Sequence, residues 1–186
     1  MTGLNPEVDC LVEISVVITN SELELLDDGI DIIIKPTAEG LANMNAFVRE
    51  MHTTSGLIHE FENGLSLEEA EQIVLDYVKR FVPDARTAPL AGNTIGTDRM
   101  FLNRYMPNLD NHLHYRNIDV SSIKELSRRW YPRVYFNMPK KDGGHRALAD
   151  IKESIKELQY YRKTVFVELP GPTSDDAKAA ASSLDS

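Results

Sequence analysis

The stretch GNTIGTDRMF, residues 92–101, places Asp98 just after an apolar run that ends in glycine. An aspartate at a helix start satisfies free N–H groups and the helix dipole, so capping alone would account for it. The glycine spacing is not a phosphate-loop signature, and no Lys-Ser/Thr pair follows. Placement is what singles Asp98 out, because ligands of α/β sheets sit at the C-terminal ends of strands. A second stretch, GGHRALAD at 143–150, holds His145 and Asp150 five residues apart. On one continuous helix that is about 140° of rotation, too far for a shared face. They converge only if His145 lies in the glycine loop and Asp150 early in the helix. A histidine beside an aspartate can then act as a general base; otherwise both are ordinary surface residues. A third stretch, HYRNIDVSSIKELSRRWYPRVYF, gathers Tyr115, Arg116, Arg128, Arg129, Trp130 and Tyr131. Guanidinium forks suit phosphate and aromatic rings suit base stacking. The bland alternative is a helix with a solvated basic face and a buried tryptophan. His52, among hydroxyls in MHTTSG, is the fourth candidate and by itself reads as a loop residue.

The elements that must position these residues alternate. LVEISVVIT (11–19) and the run closed by Pro36 read as two strands of a hairpin, with a turn at Asp27-Asp28-Gly29. Residues 40–62 carry short helical pieces. A clear helix covers 66–81, with Ser66 and Glu69 as a capping box and an apolar stripe of Ala70, Ile73, Val74, Tyr77, Val78 and Phe81. A short buried strand is expected at 88–93, a helix from near Thr97, and a strand at 114–120. Residues 121–130 read as a helix capped by Ser122 and Glu125, followed by a loop rich in Pro, Lys and Gly. The last helix carries Leu148, Ile151, Ile155 and Leu158 on one face, and residues 169–186 read as a disordered tail. Strands alternating with helices argue for α/β with a mixed sheet.

The bulk numbers exclude several classes. At 186 residues the chain fits one domain with a proper core. A net charge of −9 argues against a protein that grips long duplex nucleic acid. A short anionic ligand held by a few groups and a metal remains compatible. Cys10 is the single cysteine, which excludes an internal disulfide or a cysteine zinc cluster. Apolar runs such as IDIII at 30–34 are too short to span a bilayer, and no secretory leader is evident. A cytoplasmic protein is the expectation.

Read together, MTGL, MHTTSGL, PLAGNTIGTDRMFL, HYRNIDVSSIKELSRRWYP and HRALADIKESIKELQYYR resemble the oligoribonucleases of the DEDDh 3′→5′ exonuclease group, in order and spacing as well as wording. The likeness runs over an exonuclease domain of residues 1–168. It implies a ribonuclease H-like fold, a mixed five-stranded sheet flanked by helices. It implies hydrolysis of short single-stranded RNA, down to dinucleotides, with two Mg²⁺ or Mn²⁺ ions, by a homodimer. Asp98 and Asp150 match metal-binding aspartates, and His145 matches the general base. Leu4 matches a leucine that wedges between two bases, and Phe47 stands where many members stack a tryptophan. His52, Thr94 and Ser121 match polar residues around the phosphates. Tyr115 and Arg116 match residues that reach the site from the partner subunit.

One motif departs from this pattern. The resemblance places an Asp-x-Glu pair on a central strand just before MTGL, and the chain opens at that methionine. Two of four metal-binding carboxylates are therefore expected to be absent, with Met1 an internal methionine of a protein longer by one strand. Asp9 and Glu13 are not expected to replace them. Three readings follow: an exoribonuclease, a catalytically incomplete protein that binds short RNA or a dinucleotide, or a truncated chain that does not fold stably.

Overall fold

Residues 1–140 and 146–184 are described in a computed structural model of the chain. The expected hairpin forms first. β1 (Glu13–Val16) and β2 (Ile30–Ile33) pair antiparallel, with Glu13 opposite Ile33 and Val16 opposite Ile30. Gly29 closes the connection at φ +87°, where a Cβ would also strike Val17 and the Val16 carbonyl. The Asp27 carboxylate accepts from the Gly29 N–H at 2.7 Å and from the Tyr77 hydroxyl at 2.6 Å, tying the turn to a distant helix. Burial and that carboxylate push Tyr77 up to about 12.

Side chains alternate across a strand, so the hairpin has two apolar faces. Leu11, Ile32 and Ile34 pack with Val74, Val78, Phe101, Leu102 and Met106. Cys10 and Val12 pack with Met44, Leu57 and Phe61. The second cluster is built from α1 (Ala38–Asn43), α2 (Ala46–Thr54) and two 3₁₀ turns at Leu57–His59 and Phe61–Asn63. The first is covered by α3 (Leu67–Phe81), whose Ser66–Glu69 capping box forms as expected. Ile73 of the expected stripe is exposed, and Leu75 is buried instead.

The next unit is β3 (Pro89–Gly92), α4 (Ile95–Tyr105), α5 (Pro107–His112) and β4 (His114–Asp119). β3 and β4 run parallel, with Gly92 opposite Asp119, so the residues after each strand emerge side by side. The expected burial of β3 does not hold. Its residues alternate between exposed and half-buried, because among the described residues it pairs with β4 alone. The four strands described thus form two pairs, one antiparallel and one parallel.

α6 (Val120–Trp130) begins earlier than expected. Asp119 caps it by accepting from the Ser121 N–H, and Glu125 instead pairs with Arg128 and Arg129. Trp130 at its end is exposed, not buried. The expected loop beyond contains α7 (Pro132–Phe136), entered through a proline whose fixed φ suits a first helical turn. α8 (Ala147–Thr164) packs against both strand pairs and α6. The segment expected to lack structure carries α9 (Ser174–Ser182). A capping box between Thr173 and Asp176 starts it, and all of its residues are exposed.

Candidate active site

The parallel register of β3 and β4 builds a polar corner. Thr94, two residues beyond β3, sits at φ 56°, a left-handed backbone rare for a β-branched side chain. Its N–H is held from two sides, by Asp119 Oδ1 at 3.1 Å and Ser121 Oγ at 2.8 Å. The Thr94 and Ser121 hydroxyls lie 3.1 Å apart. Ser121 donates to Asn93 Oδ1 at 3.1 Å, and Asp119 Oδ1 also accepts from the Ser121 N–H at 2.8 Å. Strain of this kind persists only where neighbours over-determine it, and it concentrates at functional sites.

Asp98 lies in the first turn of α4, four residues past Thr94. It is half-buried. Burial holds its carboxyl above the usual range, and the Asp119 charge adds to that, while its own backbone N–H and the Met1 amine act the other way. Asp150 occupies the first turn of α8 and is exposed. His145 lies outside the described residues. Arg146 follows it and carries a dense set of ion pairs. Its guanidinium meets Glu13 at 2.8 Å, Glu60 at 2.7 Å and Asp31 at 3.5 Å. Glu13 Oε2 also accepts from the Ala147 N–H, so the start of α8 is pinned to β1. Asp9 is likewise engaged, accepting from Thr2 and from the Asn5 N–H. A Cβ on Gly3 would sit 2.3 Å from the Asp9 carboxylate, which explains the glycine of MTGL.

The other expected contact residues divide. Leu4 and Phe47 are 76% and 78% exposed, large apolar side chains offered to solvent. Tyr115 and Arg116 project from β4, with the guanidinium 5.5 Å from the Tyr115 ring centre and the ring stacked on His114. His52, by contrast, is 4% exposed. Its Nε2–H donates to the Met1 carbonyl at 2.9 Å, and its ring meets Phe61 edge-on. Burial lowers its pKa. It is part of the packing under residue 1, not of the exposed corner.

Sequence reasoning missed Asn93, Asp119, Glu157 and Arg146. A usable signal existed for Asn93 and Asp119, since each stands where a strand ends. Glu157 gave only a weak one, a charged residue between Ser154 and Tyr161 on one face of α8. Among the described residues, no three His, Cys, Asp or Glu side chains form a group that could hold a metal ion. Asp98 and Asp150 are too few oxygen donors for a pair of hard dications. The described residues therefore do not by themselves fit a two-ion centre.

Comparison with known proteins supplies the family. Residues 1–158 match the exonuclease family RNase_T. The oligoribonuclease of Leifsonia xyli subsp. xyli is 68% identical, covering 99% of this chain and 89% of the relative. That of Streptomyces coelicolor is 56% identical over 97% of this chain and 90% of its own length. That of Nocardia farcinica is 56% identical over 99% and 86%. By these matches over nearly its whole length, the chain belongs to the exonuclease family, alongside these oligoribonucleases.

Proposed function

We propose that this protein is a 3′→5′ exoribonuclease that degrades short oligoribonucleotides, including dinucleotides, to mononucleotides. The near full-length likeness to proteins named oligoribonuclease carries the reading. The exposed Leu4 and Phe47 suit contact with bases, and the exposed Thr94 hydroxyl, held beside that of Ser121, suits a phosphate oxygen. His145 takes the proton of the attacking water, within an exonuclease domain of residues 1–168. Tyr115 and Arg116, exposed on β4, reach the site of a partner subunit in a homodimer. The cofactor is Mg²⁺ or Mn²⁺. It needs carboxylates beyond Asp98 and Asp150, and an Asp-x-Glu pair on a strand ahead of residue 1 would supply them. No helix among the described residues is long and apolar enough to cross a membrane. The proposed site of action is the cytoplasm.

A second reading has its own observation, the lack of a three-donor metal group among the described residues. On that reading the chain binds short RNA without cutting it. One experiment separates the two. A labelled diribonucleotide is incubated with Mn²⁺ and either this chain or the chain preceded by an Asp-x-Glu strand. Mononucleotide produced by the extended chain supports the exoribonuclease. Tight binding by both without product favours the binding protein.

A further inference from the structure

The most deeply buried carboxylate outside the expected site is Glu157, 3% exposed in the middle of α8. Burying a carboxylate is costly even when it is paired, and an apolar residue of similar size often packs as well or better. Its partners suggest what it does there. Lys124 Nζ from α6 lies 3.4 Å from Oε1, and the Tyr161 hydroxyl donates to the same oxygen. Asn93 Nδ2 reaches Oε2 at 3.3 Å. Asn93 Nδ2 also donates to Ser154 Oγ at 2.9 Å, and the Ser154 proton is itself committed to the Asp150 carbonyl.

An ionised carboxylate only accepts hydrogen bonds. Both groups facing that end of Asn93 are therefore acceptors, and the amide must present its NH₂ to them. Its carbonyl oxygen then faces Ser121 and takes the Ser121 proton. A hydroxyl has one hydrogen. With it spent, Ser121 Oγ serves as acceptor for the Thr94 N–H at 2.8 Å and for the Thr94 hydroxyl at 3.1 Å. Thr94 is exposed, and its hydroxyl hydrogen can turn outward by rotation about one bond. Ser121 has no such freedom.

We propose that Glu157, acting through the Asn93 amide, locks Ser121 as an acceptor and leaves Thr94 as the hydroxyl that donates to a substrate phosphate oxygen. Glu157 and Asn93 are positioning residues, and the two hydroxyls have different tasks. The proposal rests on the short-RNA reading of the same site.

The test combines the Thr94 amide proton resonance with the affinity for a fluorescein-labelled diribonucleotide. Glu157→Gln can offer either an NH₂ or a carbonyl to Asn93, so the Asn93 amide is released. The expected result is a shifted Thr94 amide resonance, with the other amides beyond the corner unmoved. Asn93→Ala removes the acceptor for the Ser121 proton and is expected to shift the same resonance, should Glu157→Gln fail to fold. Thr94→Ala is expected to weaken dinucleotide binding about tenfold, as for a lost hydrogen bond to a charged group. Thr94→Ser should recover most of that loss. An unmoved Thr94 resonance in the folded variant overturns the relay. Unchanged affinity in Thr94→Ala overturns the donor assignment. A wild-type chain that does not bind the dinucleotide overturns the short-RNA reading and the donor assignment with it, while the resonance still decides the relay.

Discussion

The hydroxyl corner and the carboxylates lie near the same strand ends, yet they are built to opposite degrees. In the corner, Asn93, Thr94, Asp119 and Ser121 hold one another at 2.8–3.1 Å. Asp98 and Asp150 come from two different helices and belong to no three-donor group among the described residues. The difference follows from charge. In the corner the one carboxylate, Asp119, is surrounded by N–H donors and uncharged side chains that satisfy it, an arrangement the fold preorganises by itself. Carboxylates resist ionising when they are taken out of water or set near one another: burial holds the Asp98 carboxyl above its usual range, and the Asp119 charge adds a smaller part. The corner is thus held together by its own hydrogen bonds, whereas among the described residues Asp98 and Asp150 are too few donors for a pair of hard dications.

The largest expected effect tests the carboxylate side. In the chain extended by an Asp-x-Glu strand, His145→Ala should lower turnover on a diribonucleotide by about 10²–10⁴-fold, the usual contribution of a general base. Full turnover in that variant would remove His145 from the reaction. Arg146→Met comes next. It leaves the Glu13 carboxylate, 6% exposed, without its cation. Urea denaturation should show a loss of about 3 kcal/mol, as for a broken buried pair. If stability hardly changes, Arg146 does not pin α8, and the link from β1 to the Asp150 helix is wrong. Ser121→Ala tests the corner and should cost about 1 kcal/mol, because the Asn93 carbonyl loses its donor. An equal loss from Ser122→Ala, expected from sequence to cap α6, would contradict the cap seen at Asp119.

These effects bear on what could be read in advance. The α3 cap was legible because Ser66 and Glu69 form a closed local motif that depends on nothing distant. The second cap was misplaced for a tertiary reason. β4 runs straight into α6, so Asp119 meets the free N–H first, and Glu125 turns to its own arginines. α7 was read as loop because five residues give too little periodicity to see. Within the site, the positions of Asp98, Thr94 and Ser121 at strand ends were legible from the alternating pattern and the family likeness. The Glu157–Asn93 link joins residues 64 apart in sequence, and no local pattern carries such a contact. His52 reads as a loop residue because its neighbours in the chain are polar, whereas it lies in α2 with Met1 and Phe61 as neighbours in space.

His52 provides the smallest and most discriminating measurement. Its Nε2–H is committed to a carbonyl, and its buried Nδ1 has no hydrogen-bond partner among the described residues. Protonation would place a charge and an unsatisfied donor in the interior, and burial accordingly lowers its pKa, with the Met1 amine adding to the effect. The unfolded chain binds that proton near the ordinary histidine value of about 6.5, so below this pH it takes up more protons than the folded one. Stability should therefore fall as pH drops from 7.5 to 5.5. His52→Gln should melt with a shallower dependence over the same interval, the difference between the two chains isolating this group from the other histidines. A histidine facing phosphate would behave in the opposite way. The RNA anion would stabilise its charged form, and dinucleotide affinity would rise on acidification in the wild type but not in His52→Gln. Melting curves and binding at the two pH values distinguish a residue that packs beneath residue 1 from one that contacts phosphate.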